Sequence, residues 1–548
     1  MKKRERDSAT ELGEEGQSIP KLWGAGFVLF SLLVSSLFFL QARSSSIGDF
    51  SGDQINILTL CVQRDFPGAL KDDLIVGDPS DTAYYIPSFV SVVRFLSLPD
   101  HDYIRGLSIL LFVATVVYLC GWFLLLSLWR NLWVAATFAF LAHGILWPPG
   151  NEFWGIAGLW TVVPRTVFLA IVPWIVWLWL RYRRSLYAGM LAFLGVGLLA
   201  NLHPISGLAV ATGMLGAQFY LRRLEGKRAK DVGPAVVVCL GMILLGLVPS
   251  LITYFFGVKS AAGVNSEELL AAMHQRLRDV FFDPSLYWKQ WLKPNWIAFV
   301  VIPTVSSFLL WRRFSRVEKD RVIALGLMAI AAIVLTIVPL ALAALANRAG
   351  WRAPFTYDVV RAGKYIILPS LVCLALLTAF LLRRLPAVTG PVLAGVVLVV
   401  SLLAGRSTFN GWPVMGDDIV RSLWPAPVGT APFRGDHSLD EMLAWIRSNT
   451  SEDAKFVGPR IIRVGAHRSV VHDTAGAGML VAGNPQKFVH TIQREEELRK
   501  ILSENPSGAP GLVAGWNADY WVVRRTIPNL EPAYSASGWY LYDLRRFE

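Results

Sequence analysis

The segment Gly48-Asp49-Phe50-Ser51-Gly52-Asp53-Gln54 sets two carboxylates four positions apart, only a few residues after the first long apolar run. A carboxylate held close to a membrane surface can take the proton of a hydroxyl or hold a divalent cation. Ordinary solvation of an outer loop gives the same acidity. Asp49 and Asp53 are the preferred pair because the short tether limits how far they stray from the bilayer; LKDDLIVGD adds Asp72, Asp73 and Asp78 further along. A second group is basic. NRAGWRAPFTYDVVRAGK, residues 347–364, carries Arg348, Arg352, Arg361 and Lys364 between two apolar runs. Arginine offers a planar fork of donors and lysine a point charge, which suits a phosphate; long cationic side chains at a helix end also snorkel to lipid headgroups. His203, followed by Pro204 in a turn, can donate to a phosphate, shuttle a proton or bond its own backbone. Arg165, opening a span in TVVPRTVF, is either an anion ligand or an interface anchor.

Membrane helices must position these groups. The chain has 548 residues, 54% hydrophobic and 17% charged, with mean hydropathy +0.46, whereas a soluble domain is usually about 25% charged. Runs long enough to cross about 30 Å of hydrocarbon as helices lie near 22–41, 105–128, 131–147, 165–180, 185–201, 203–221, 233–256, 295–311, 321–346, 363–382 and 388–405, about eleven in all. The first follows a polar head without a small-residue cleavage site and reads as an uncleaved anchor. Residues 83–97 are short and contain Pro87 and Arg94, so an interfacial or re-entrant piece is expected there.

Alternate loops carry the basic excess: MKKRER, Arg130, RYRR at 181–184, RRLEGKRAK at 222–230, RRFSRVEKDR at 312–321, and Arg383 with Arg384. By the positive-inside rule these face the cytoplasm. The N-terminus is then cytoplasmic, and the acidic loop 42–104 and the C-terminus are extracytoplasmic, in a multi-pass membrane protein. The net charge of +12 is explained by these loops, so nucleic acid is not an expected partner. The four cysteines, three of them inside apolar runs, form neither a disulfide framework nor a metal cluster.

The expected organisation is a cytoplasmic tail 1–21, a transmembrane region 22–406, a Pro- and Gly-rich linker 407–433 and an extracytoplasmic α/β domain 434–548. In the last, HSLDEMLAWIRSNT and REEELRKILSEN have helical spacing, and KFVG, SVVHD, YWVVRR and GWYLYDLR have strand character. The long outer loop 258–294 contains Leu269, Leu270, Met273, Leu277, Val280 and Phe281 at helical spacing, followed by Trp288, Trp291 and Trp296. It reads as an amphipathic helix on the membrane surface.

The chain resembles the GT-C superfamily of membrane glycosyltransferases, and within it bacterial GT-C-like membrane proteins of uncharacterised function. The resemblance rests on Gly52-Asp53-Gln54 at the start of the first outer loop, IVGD ending at Asp78, the His203-Pro204 pair at a helix turn and the Trp445–Thr450 helix end. Arg468-Ser-Val-Val, Asp519-Tyr-Trp-Val-Val and the terminal Gly-Trp-Tyr-Leu-Tyr-Asp-Leu run complete it. It implies an α-helical polytopic, GT-C-like fold and transfer of a sugar from a polyprenyl-phosphate donor to an acceptor, with Asp53 or Asp49 as base or metal ligand. Arg348, Arg352, Arg361 and Lys364, with His203 and Arg165, would hold the lipid-linked phosphate. The resemblance fixes no cofactor and leaves room for a divalent cation, Mg or Mn, on Asp49 and Asp53; established members carry a tighter acid pair than GDFSGD.

Two other classes compete. A non-catalytic subunit of a larger membrane complex would keep the scaffold and lose the reaction. A lipid or sugar transporter should carry ionisable residues at mid-bilayer, and the spans here hold almost none.

Overall fold

The computed structural model describes residues 19–43, 45–50, 52–129, 131–142, 145–147, 152–156, 158–183, 185–224, 229–257, 265–277, 294–349, 361–408 and 437–547. Among them six helices are long and apolar enough to cross a membrane: Lys21–Leu40, Tyr103–Ser127, Pro164–Arg181, Val232–Thr253, Arg316–Ala346 and Ala362–Leu382. Shorter apolar helices, Leu132–Leu141, Leu186–Ala200 and Thr389–Val399, stand beside them. The protein is therefore a helical multi-pass membrane protein bearing a small mixed α/β unit.

The bundle is assembled by close helix pairs. Lys21–Arg43 and Pro164–Arg181 both pack on Tyr103–Ser127, and Leu186–Ala200 packs on Ala229–Gly257. The last pair meets through glycine: a Cβ on Gly197 would stand 2.2 Å from the Ile243 carbonyl oxygen, so only glycine permits that approach. Pro249 interrupts the partner helix, and Asn201 repairs the break, its Oδ1 accepting from Ser250 N and its Nδ2 donating to the Gly246 carbonyl, both at 2.8 Å.

Charge sorts to the two ends of the bundle. At one end Arg183 meets Asp320 at 3.6 Å and Arg321 donates to the Leu128 carbonyl at 3.0 Å, which ties two of the basic segments to each other and to the end of the Tyr103–Ser127 span. The other end carries the acidic first loop and the C-terminal unit.

In that unit a five-stranded sheet has the order β4-β3-β5-β7-β6, with β3 Lys455–Val457, β4 Ser469–His472, β5 Tyr520–Val523, β6 Tyr534–Ala536 and β7 Trp539–Asp543. β4, β3 and β5 run parallel; β7 and β6 return antiparallel. The edge of β4 would invite pairing with another chain, and the acidic first loop covers it. Leu74 N donates to the Val470 carbonyl at 3.1 Å, and Val470 N donates to Asp73 Oδ2 at 2.8 Å.

Two expectations change, and a third element is defined more closely. The apolar run 131–147 does not continue as one span: its helix stops at Leu141, and Ile145–Trp147 (β1) pairs antiparallel with Glu152–Trp154 (β2). Residues Pro87–Ser97 form an apolar helix packed against Tyr103–Ser127. The amphipathic helix Ser266–Leu277 docks on the Pro485–Glu504 helix of the C-terminal unit rather than on lipid. Its Arg276 donates to the carbonyls of Thr474 and Ala475 at 3.1 and 2.9 Å. Trp288 and Trp291 lie outside the described residues.

Candidate functional site

Asp53 is the first residue of the Asp53–Asp65 helix, where unsatisfied backbone N–H groups favour a negative charge. The preceding Gly52 has φ 53°, a conformation that glycine adopts without the penalty a side chain would bring. Gln54, 1% exposed, donates from Nε2 to the Leu159 carbonyl at 2.6 Å and to that of Val162 at 3.4 Å. This pins the helix start to the turn that leads into Pro164–Arg181. Arg165, second residue of that span behind Pro164, thereby reaches Asp53: its Nη1 donates to Oδ2 at 2.9 Å, with 25% and 42% of the two side chains exposed. Two candidates 112 positions apart in sequence form one ion pair that remains open to solvent.

Around the pair stand groups that sequence patterning did not single out. Asn56 lies three residues on, hence on the same helix face, and Arg460 Nη1 donates to its Oδ1 at 3.3 Å. Burial pushes the Tyr85 phenol well above its ordinary range; the Asp53 carboxylate adds to this, and a hydrogen bond with Asn56 works against it. Tyr84 donates to the Met479 carbonyl at 2.7 Å. Arg460 follows the C-terminal end of β3, so the sheet places a cation above the Asp53 helix.

What holds the sheet there is a set of ionic contacts between the first loop and the C-terminal unit. Arg463, 1% exposed, lies between Asp73 and Asp473, with Nε–Oδ2 2.6 Å and Nη1–Oδ2 2.5 Å. Burial alone would lower the arginine's pKa, but the two carboxylates outweigh it and the net shift is upward; Asp473 is held low by Arg463 against its own burial. Asp81, fully buried, accepts from Lys487 Nζ at 2.7 Å and from Asn484 Nδ2 at 3.1 and 3.2 Å. Asp73 is thus a structural counter-ion, and Asp78 caps the turn at Ser80; Asp72 is exposed.

Arg348 is exposed at the end of the Arg316–Arg348 helix, whereas Lys364 is buried, 6.0 Å from the centre of the Tyr365 ring. His203 Nδ1 accepts from Ser206 N at 3.2 Å and lies 2.8 Å from its hydroxyl, capping the helix that Pro204 begins. The side chains of Asp49 and Arg361, and Arg352 altogether, lie outside the described residues.

No family model matches the sequence, and no curated protein does. Among solved structures, the chain is similar to the apo oligosaccharyltransferase of Archaeoglobus fulgidus. That match has 13% identity and TM-score 0.49, covering 92% of this chain and 70% of that one. It is also similar to the archaeal oligosaccharyltransferase AglB of the same organism in complex with an inhibitory peptide and a dolichol-phosphate. Here the identity is 13% and the TM-score 0.47, covering 92% and 69%.

Proposed function

We propose that the chain is a GT-C-type membrane glycosyltransferase that moves a sugar from a polyprenyl-phosphate donor to an acceptor on the extracytoplasmic face. The Asp53–Arg165 pair carries this reading. It joins a carboxylate and a guanidinium at a helix start, half-exposed, at the end of the bundle where a lipid headgroup would lie. In the reaction the acceptor hydroxyl attacks the anomeric carbon and passes its proton to Asp53. The bond from that carbon to the phosphate oxygen breaks, and its electrons leave with the polyprenyl phosphate. In this reading Arg165 moves from Asp53 to the departing phosphate, a charge-assisted contact, and Arg460, which donates to Asn56, adds a second cation beside the helix start.

The Asp49 side chain, half of the pair that could take Mg or Mn, lies outside the described residues. The Asp53 carboxylate faces a guanidinium, and among the described residues no group of three or more His, Cys, Asp or Glu could hold a metal. No step is assigned to one. Membrane lipids would surround the bundle, in a bacterial inner membrane with the N-terminus cytoplasmic.

Asp53→Asn should lower turnover by about 10²–10⁴-fold while binding of a polyprenyl-phosphate analogue to the purified protein persists. Arg165→Gln should weaken that binding by about 10- to 100-fold. Normal turnover in Asp53→Asn would remove this helix start from the chemistry.

A further inference from the structure

At the far end of the Asp53–Asp65 helix, about 18 Å from Asp53 at 1.5 Å per residue, a cavity of about 160 Å³ opens between the ends of two spans and the C-terminal unit. Its wall includes Phe50, Phe66, His101, Tyr103, Arg447 and His467. The cavity has room for about five waters at ~30 Å³ each and is smaller than the roughly 300–1,000 Å³ of sites for drug-sized ligands. It therefore suits a single ring.

The wall chemistry narrows the ligand further. Phe66 is flanked by two imidazoles, His467 at 4.5 Å and His101 at 5.1 Å between ring centres, which makes an aromatic wall beside polar groups. Both histidines sit on left-handed backbone, φ 56° and 54°, uncommon for a non-glycine residue and often found at ligand sites. Burial, together with Arg447, Arg468 and His101, lowers the His467 pKa to about 4, so its ring offers one donor and one acceptor at neutral pH. The acids are already matched: Asp100 by Arg105, Asp102 by Arg43 at 2.7 Å, and the neighbouring Asp65 by Arg94 at 2.6 Å, Tyr103 at 2.9 Å and His101 Nδ1 at 3.2 Å. An anionic phosphate would meet Asp100 and Asp102; a cation would meet Arg447. A neutral polyhydroxylated ring finds aromatic surface, donors and acceptors without a charge to compensate.

We propose that this cavity is a second carbohydrate site, binding one neutral sugar ring apart from Asp53 and holding a glycan against the seam between the first loop and the C-terminal unit. The inference does not depend on catalysis at Asp53.

The test uses the full-length protein in phosphatidylcholine nanodiscs and saturation-transfer NMR with the methyl glycosides of glucose, galactose, mannose and N-acetylglucosamine. At least one should receive saturation, and His467→Ala should reduce the signal at least fivefold while Asp53→Asn leaves it unchanged. Arg447→Gln, at an exposed position, should also reduce it and decides alone if His467→Ala fails to fold. The proposal is overturned if no glycoside receives saturation, if the signal survives both cavity variants, if Asp53→Asn removes it, or if glycerol phosphate binds in place of the sugars.

Discussion

Arg463 shows how much one side chain can carry when it is buried between two carboxylates. With Arg463 removed, Asp73 and Asp473 would face each other without a counter-ion. Breaking a buried pair by removing one partner costs about 3–5 kcal/mol, so Arg463→Ala should lower the melting temperature markedly. Lys487→Ala should cost less, because that lysine is 39% exposed and Asn484 still donates to Asp81; equal losses in thermal unfolding would contradict this ranking. Sequence exposed only part of this chemistry. Asp53 was legible from its short distance to the first span, and Arg165 from opening a span with a cation. Their pairing was not, since no local pattern links positions 112 apart. Arg463 did leave a signal, a charge set between Ile462 and Val464 in an otherwise apolar run, which is unusual for a solvated arginine. Lys364, in Gly-Lys-Tyr-Ile-Ile, carries the same mark and is likewise buried.

The secondary elements were the most legible level, because apolar runs and alternation report burial directly. The exceptions are instructive. The Ser266–Leu277 helix has a real apolar face, but an amphipathic pattern states only that something apolar covers it; here the cover is protein. Strand β6, with Ser535 exposed between half-buried neighbours, is too short to stand out and exists because β7 pairs with it. At this scale the turn bearing His467 makes a pH prediction. Its folded pKa, about 4, lies below the ordinary 6.5, so between those values the unfolded chain binds the extra proton. Stability then falls as pH drops from about 6.5 towards 4 and is flat above that window. The groups around the imidazole, Arg447, Arg468 and His101, all oppose its charging. The melting temperature of the parent should fall relative to that of His467→Gln as the pH drops through this window; a constant offset would exclude the linkage.

For the molecule as a whole, the two differently charged ends predict an orientation. Arg348→Cys should react with a membrane-impermeant thiol reagent in intact cells and Arg313→Cys should not, both positions being exposed at opposite ends of the bundle; the reverse pattern would invert the protein. The contacts that seat the C-terminal sheet have a further consequence. Asp73, Asp81 and Arg276 all belong to segments that precede the last span, and they grip Arg463, Lys487 and the Thr474 and Ala475 carbonyls across the seam. The sheet also relies on the first loop to shield its β4 edge. Peptide continuity through residues 409–436 should therefore be dispensable for assembly. Genes encoding 1–408 and, behind an export signal, 437–548 should complement each other in one cell and yield two polypeptides that co-purify, whereas Arg463→Ala in the second piece should leave them separate.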